Sequence, residues 1–140
     1  MAEGAGRLLA QAGLTERATF VAGNFFQAVP PDGDAYLLKS VIHNWDDAAA
    51  RSILHNCRQA MRPGTHLIVM ERVVPPANVP SEAKLFDINM LVTVGGQERT
   101  EEQYRELFDA AGFDVTRIKA TASPLTLIEG ALQIRPSARS

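Results

Sequence analysis

The chain has 140 residues, 46% of them apolar and 21% charged, with a formal net charge of -2; that is material for one folded domain and excludes wholesale disorder. A near-neutral balance gives nucleic acid or an anionic membrane nothing to hold, no apolar run reaches the roughly eighteen residues that span a bilayer, and "MAEGAGRLLAQAG" has no signal-peptide pattern, so the expected setting is cytoplasmic. The lone Cys57 excludes a disulfide framework and reads as a small core residue.

Apolar spacing and turn residues then give the elements in chain order. Leu8, Leu9 and Ala12 predict a short helix ending near Gly13. "RATFVAG" reads as a strand closing at Gly23, and "AYLLKSV", after the turn signal "PPDGD", as another. From Asp46 the positions Ala50, Ile53, Leu54, Cys57 and Met61 follow helical spacing until "RPG" stops them. "HLIVMERVV" is a continuous apolar run of the kind a strand buried on both faces carries. "SEAKLFDINMLVTV" reads as a helix with Leu85, Ile88, Met90 and Leu91 inward. "TEEQ" then forms a capping box, Thr100 with Gln103, opening a helix whose face is Tyr104, Leu107, Phe108 and Ala111 and whose end is Gly112. "FDVTRIKA" and "LTLIEGALQI" predict an antiparallel pair, and "RPSARS" a frayed tail.

Helices alternating with buried strands argue for an open α/β sheet, whose ligands lie beyond the carboxyl ends of the strands. Three places meet that description: Asn24 and Phe25, the stretch from Lys39 to His43, and Glu71. His43 precedes the helix that Asn44 or Asp46 would cap, and a helix N-terminus disfavours a cation, so the imidazole is expected to be neutral and able to accept a proton. Glu71 leaves the next strand on the same rim, and Glu98 reaches the same pocket if the "GG" turn brings it in. His55 falls on the outer side of its helix and His66 opens a strand; neither has a cysteine or histidine at metal-ligand spacing, so no metal site is expected.

Taken together, "LLKSVIHNWDD…ILHNCRQAMRPGTHLIVMERVVPP" and "LFDINMLVTVGGQERTEEQYRELFDAAGF" resemble the S-adenosylmethionine-dependent O-methyltransferases of the plant caffeate type and their bacterial small-molecule relatives. The markers are the histidine-x-tryptophan turn, the glutamate closing the next strand, and the GG-x-ER-T segment before a helix. The resemblance implies a Rossmann-like class I methyltransferase sheet and methyl transfer to a hydroxyl of a small, aromatic molecule. His43 matches the catalytic base, and Glu71 and Glu98 match the acids that flank it. By the same matching, Asn24, Phe25 and Lys39 contact S-adenosyl-L-methionine, with Phe25 packed on the adenine, and Met90 lines the substrate pocket.

Departures from the family pattern carry their own expectations. Asn24 replaces an acid that binds the adenine amino group, which leaves an amide oxygen to accept but removes the charge-assisted bond. Asn44 replaces the aspartate that follows the histidine. The glycine-rich cofactor loop, the ribose-binding acid and the helical dimerisation domain of this homodimeric family have no counterpart in the sequence. "AEGAGR" spaces its glycines suggestively, but no strand precedes it. Residues 1–134 are therefore expected to be the C-terminal portion of a catalytic domain that lacks its first two strands, with 135–140 a polar tail. The alternative function is a non-catalytic remnant, or a module that needs a partner chain to complete its sheet.

Overall fold

The computed structural model describes residues 2–76 and 96–134. The helix expected over 81–94, with Met90 on it, and the tail after residue 134 lie outside the described residues.

Helix α1 spans Ala2–Gln11 and ends before Gly13, which turns the chain at φ 65°. The "AEGAGR" glycines are inside this helix, so they form no phosphate-cradling loop. No strand forms over "RATFVAG", contrary to the sequence reading: residues 18–24 carry no regular structure, and Phe20 and Val21 stand exposed. An apolar alternating run becomes a strand only when a neighbour supplies a ladder, and none of the described strands lies beside this one.

Four strands make the main sheet: β1 (Ala35–Lys39), β2 (His66–Glu71), β5 (Phe113–Ala120) and β6 (Thr126–Leu132), in the order β1-β2-β6-β5. β1 and β2 are parallel, while β2–β6 and β5–β6 are antiparallel, the last with a register shift at Val115/Arg117. A second pair, β3 (Val73–Val74) and β4 (Arg99–Thr100), is parallel and joins the end of the β2 run to the segment leading into the last helix. Between β1 and β2 the chain makes a 3-10 turn at Ile42–Asn44 and helix α2 at Asp47–Ala60; α3 follows at Glu101–Ala110.

β2 is where pattern matters most for function. Leu67, Val69 and Glu71 alternate onto the fully buried face, whereas Ile68 and Met70 on the other face are only half-covered, so burial is one-sided and not two-sided as the continuous run suggested. The period of two thus carries a carboxylate along with two aliphatics into the interior at the strand's carboxyl end. The core beneath is built from Ile53, Leu54 and Cys57 of α2, Leu107 and Phe108 of α3, and Phe113 and Ile128 of the sheet. Cys57 sits in it as expected, its thiol pushed up to about 11 by burial. The capping box forms as read: Thr100 Oγ1 accepts from the Gln103 N–H at 3.2 Å while Gln103 Oε1 accepts from the Thr100 N–H at 2.8 Å. Gly112 closes α3 at φ 85°.

Candidate active site

β1 ends at Lys39, and the next residue, Ser40, adopts φ 54°, a left-handed conformation uncommon for a residue with a side chain. That bend throws the chain off the sheet while the Ser40 N–H still donates to Met70 O at 3.0 Å. The 3-10 turn that follows presents three backbone N–H groups to one acceptor. Glu71 Oε1 accepts from Val41 at 2.9 Å, Ile42 at 2.7 Å and His43 at 3.4 Å. A carboxylate at the end of one strand therefore fixes the turn at the end of its neighbour.

His43 Nδ1 lies 3.2 Å from Glu98 Oε1 and 3.5 Å from Glu71 Oε2. Both carboxylates are buried, with side-chain exposures of 1% and 0%, while the imidazole keeps 16%. The tautomer follows from this arrangement. Two acceptors facing Nδ1 hold a proton there, which leaves the Nε2 lone pair of the neutral ring free to accept one.

The electrostatics act on the ring in the opposite direction to the helix end invoked from sequence. His43 is raised above its ordinary 6.5, first by the hydrogen bond to Glu98 and then by the charges of Glu71 and Glu98, against burial and Arg72, which act the other way. The reason is positional. Asp46, not Asn44, caps α2 by accepting from the Ala49 N–H at 2.8 Å, and the turn's own N–H groups face Glu71, so no helix end opposes a charge on the ring. Burial pushes the Glu71 carboxyl above its usual range, opposed by His43 and the three N–H donors. Tyr104 of α3 backs the cluster; burial holds its phenol well above the ordinary value, and Glu71 and Glu98 add to the effect.

Residues 96–99 form the other wall, and each does a separate job. Gly96 packs so closely on the His43 carbonyl and the Asn44 backbone that a Cβ there has no room. The Gln97 N–H donates to that same carbonyl at 2.9 Å. Glu98 holds the ring. Arg99, 1% exposed, donates to Asp47 Oδ1 from Nε at 2.9 Å and Nη2 at 2.8 Å, to Trp45 O at 2.9 Å and to Ile42 O at 3.3 Å. It thereby clamps both carbonyls that bracket the histidine. Sequence reasoning used only the glutamate of "GGQER"; the arginine was visible there as a cation beside a strand and a cap, the setting in which burial demands several acceptors.

A cavity of about 450 Å³ opens on this cluster, lined by Lys39, Ser40, His43, Met70, Arg72, Glu98 and the 123–125 turn. Lys39 is thus on the same cavity as His43. A larger one, about 760 Å³, runs along Val74, Thr100, Arg105 and Ile118 and touches none of His43, Glu71 or Glu98. Asn24 and Phe25 line neither cavity. Asn24 is exposed and its Oδ1 accepts from the Phe26 N–H at 3.0 Å, which ties it into a local turn. Phe25 packs 4.9 Å from Phe26 and 6.1 Å from Trp45, ring centre to ring centre, and its carbonyl accepts from Asn56 Nδ2 at 2.8 Å. The Asn44 amide donates to Ser40 O at 3.3 Å and Val41 O at 3.4 Å, bonds that an ionised aspartate could not make.

Residues 1–114 match the O-methyltransferase domain family. The chain is 43% identical over 129 residues to a phenazine O-methyltransferase, PhzM, of Lysobacter antibioticus, covering 92% of this chain and 38% of that protein. It is 41% identical over 136 residues to O-demethylpuromycin-O-methyltransferase of Streptomyces alboniger, covering 93% of this chain and 36% of the relative. Among solved structures, an O-methyltransferase of neocarzinostatin biosynthesis, NcsB1, in complex with S-adenosylmethionine and 2-hydroxy-5-methyl naphthoic acid superposes with a TM-score of 0.83 at 33% identity over 94% of this chain and 38% of that one. The chain thus spans well under half the length of the proteins it matches. On the family match over residues 1–114 and the identity to these relatives, the chain belongs to the O-methyltransferase domain family.

Proposed function

We propose that this chain carries the proton-accepting half of an S-adenosylmethionine-dependent O-methyltransferase whose acceptor is a hydroxyl on a small aromatic molecule. The observation that carries the reading is the trio itself: an imidazole with two buried carboxylates on Nδ1, at the mouth of a cavity sized for a small molecule. His43 is the base. Nε2 accepts the hydroxyl proton as the oxygen attacks, and Glu98 and Glu71 keep Nδ1–H in place and stabilise the imidazolium that results. A phenol near a pKa of ~10 gives up its proton to a free imidazole near ~6.5 only uphill. Raising His43 narrows that gap, and assistance of this kind contributes about 10² to 10⁴ in rate.

The donor group fits some of the residues that the family pattern assigns to it. S-adenosylmethionine supplies an electrophilic methyl group when bound. Phe25 offers a partly exposed ring face of the sort that stacks on a purine, and Lys39 stands on the rim of the same cavity as the base. Asn24 fits less well, because its amide oxygen is already used by Phe26. Met90 is retained as a substrate contact.

A second reading, a module that binds the donor only with further chain beside it, is favoured by one observation. Residues 18–24 form no strand, and β1 is the end strand of the described sheet. Calorimetric titration of the 140-residue chain with S-adenosylmethionine separates the two: tight binding eliminates the second. For the first, radiolabelled methyl transfer to phenolic acceptors is measured. His43→Gln should cut turnover by about 10² or more while donor affinity stays within about twofold. Equal losses in both would assign the histidine a structural role.

A further inference from the structure

We infer that the cavity at the foot of the sheet, between Arg58 of α2 and the end of β6, binds a small molecule that carries one carboxylate on an apolar body. The cavity holds about 440 Å³, and its walls include Arg58, His66, Leu132, Gln133, Ile134 and the 63–65 turn. It lies at the opposite end of the sheet from the proposed base. His66 opens β2 and Glu71 closes it, which sets those ends roughly 16 Å apart. No residue lines both this cavity and the one that holds His43. Binding here is independent of the methyl-transfer reading.

Arg58 is the group that selects an anion. It stands in the last turn of α2, where a cation meets the carbonyl end of the helix favourably, and that accounts for its place in the sequence. It does not account for its surroundings. Nε is buried without a hydrogen bond, and the side chain enters no hydrogen bond or ion pair among the described residues. The two terminal nitrogens are equally unbonded but not buried, so a ligand in the cavity can reach them. The neighbouring carboxylates are engaged elsewhere: Glu129 with His66 Nδ1 at 2.8 Å, and Asp109 and Asp114 with Gln133 Nε2 at 2.6 and 3.2 Å. A half-buried guanidinium in this condition offers the fork that a carboxylate meets with two parallel bonds.

The walls are fixed before a ligand arrives, which lowers the ordering cost of binding. Gly112, turned at φ 85°, lies so close that a Cβ there would come within 2.6 Å of Arg58 Nε, so the arginine packs on backbone. The Thr65 N–H donates to Arg62 O at 3.0 Å while Thr65 Oγ1 accepts from the Arg62 N–H at 3.2 Å, which closes the turn on one side. On the other, the Gln133 N–H donates to Gly112 O at 3.0 Å. The apolar part of the ligand is set by Leu132 and Ile134, the latter a large aliphatic side chain standing 94% exposed at the cavity wall. Acetate or inorganic phosphate leaves that wall wet, whereas a ring or short alkyl chain covers it.

The test titrates the 140-residue chain with phenylacetate and follows its amide resonances by NMR. The expected result is saturable shifts at Gly64, Thr65 and Leu132, with Lys39 and Ser40 unmoved. Phenylacetamide, which lacks the charge, and acetate and inorganic phosphate, which lack the apolar body, should each bind about tenfold or more weakly. Arg58→Gln, whose folding is checked by circular dichroism, should weaken phenylacetate about tenfold or more. Arg62→Gln, which removes a 60% exposed arginine paired with Asp32, should leave the affinity within about twofold. Ile134→Ser gives a second variant that spares the fold, since the side chain is exposed, and it should weaken phenylacetate about threefold. Shifts confined to the His43 cavity, no saturation, equal binding of any of the three control compounds, or an affinity indifferent to Arg58 and Ile134 overturns the inference.

Discussion

The end of the molecule that holds the proposed base, His43, and the stretch around Asn24 and Phe25 are built to different standards. At the base end most contacts are long-range and buried: three N–H groups on one glutamate oxygen, two carboxylates on one ring nitrogen, a buried guanidinium on a carboxylate and three carbonyls. Around Asn24 the contacts are local or half-exposed, and the strand expected to carry them is missing. The difference shows which part of a site a fragment of sheet can preorganise by itself. A base held between neighbouring strands needs only those strands, whereas a surface that depends on an edge partner stays open without one.

The sharpest way to break this comparison is to remove the clamp. Arg99→Ala should cost about 2–3 kcal/mol in urea unfolding, because it empties a buried site and removes charge-assisted bonds to Trp45 O and Ile42 O, although Ile42 O keeps its bond from the Trp45 N–H and Asp47 is 62% exposed. Asn24→Ala, which removes one exposed local bond, should cost about 0.5 kcal/mol or less. Similar losses for the two would mean that the stretch around Asn24 is as integrated as the base end.

A second contrast uses glycines. A methyl group on Gly96 meets the His43 carbonyl and, at 2.9 Å, the Asn44 backbone, neither of which can swing aside. Gly96→Ala should therefore cost about 1–3 kcal/mol and shift the His43 ring resonances. Gly23→Ala meets nothing within 4 Å and should change stability by about 0.5 kcal/mol at most, in the stabilising direction through the unfolded chain.

Protonation sharpens the picture further. His43 is raised in the folded state, so its stabilising contribution is complete below 6.5 and is lost as pH rises through the folded value. Glu71 is also raised, from 4.5, which gives the same sign: stability present at low pH and lost on ionisation. The unfolding midpoint should thus fall between pH 6 and pH 8, and by less in Glu98→Gln, where an NMR titration should find the His43 value moved back toward 6.5. Any turnover dependent on the free base should rise over the range in which this stability is lost. An unchanged titration in Glu98→Gln would remove the hydrogen bond as the main cause.

Much of the base end was legible because its signals are local. The alternation Leu67, Val69, Glu71 and the Thr100–Gln103 box both act within one element, and the structure keeps them. The upward shift of His43 was not legible because it depends on what faces Nδ1, and Glu98 arrives from 55 residues away. The same distance hid Arg99, whose acceptors Ile42, Trp45 and Asp47 belong to another segment. "RATFVAG" failed for the opposite reason: its local pattern is good, but a strand is a property of two chains.

The smallest expected effect tests the aromatic patch that joins the regions. Trp45, the only tryptophan, packs 4.7 Å from Phe26 and 6.1 Å from Phe25, while its carbonyl accepts from Arg99. Phe25 remains 36% exposed, so Phe25→Ala gives up partial burial and two edge contacts, about 1 kcal/mol. Phe108, fully buried against Phe113 at 6.1 Å, should cost about 3–5 kcal/mol on the same change. Tryptophan fluorescence should respond to Phe25→Ala without any matching loss at Arg99, since Phe25 meets the ring of Trp45 and Arg99 its backbone carbonyl. If Phe25→Ala instead destabilises as much as Phe108→Ala and frees the Trp45 carbonyl, the two regions fold as one unit, and the stretch around Phe25 borrows its rigidity from the His43 side.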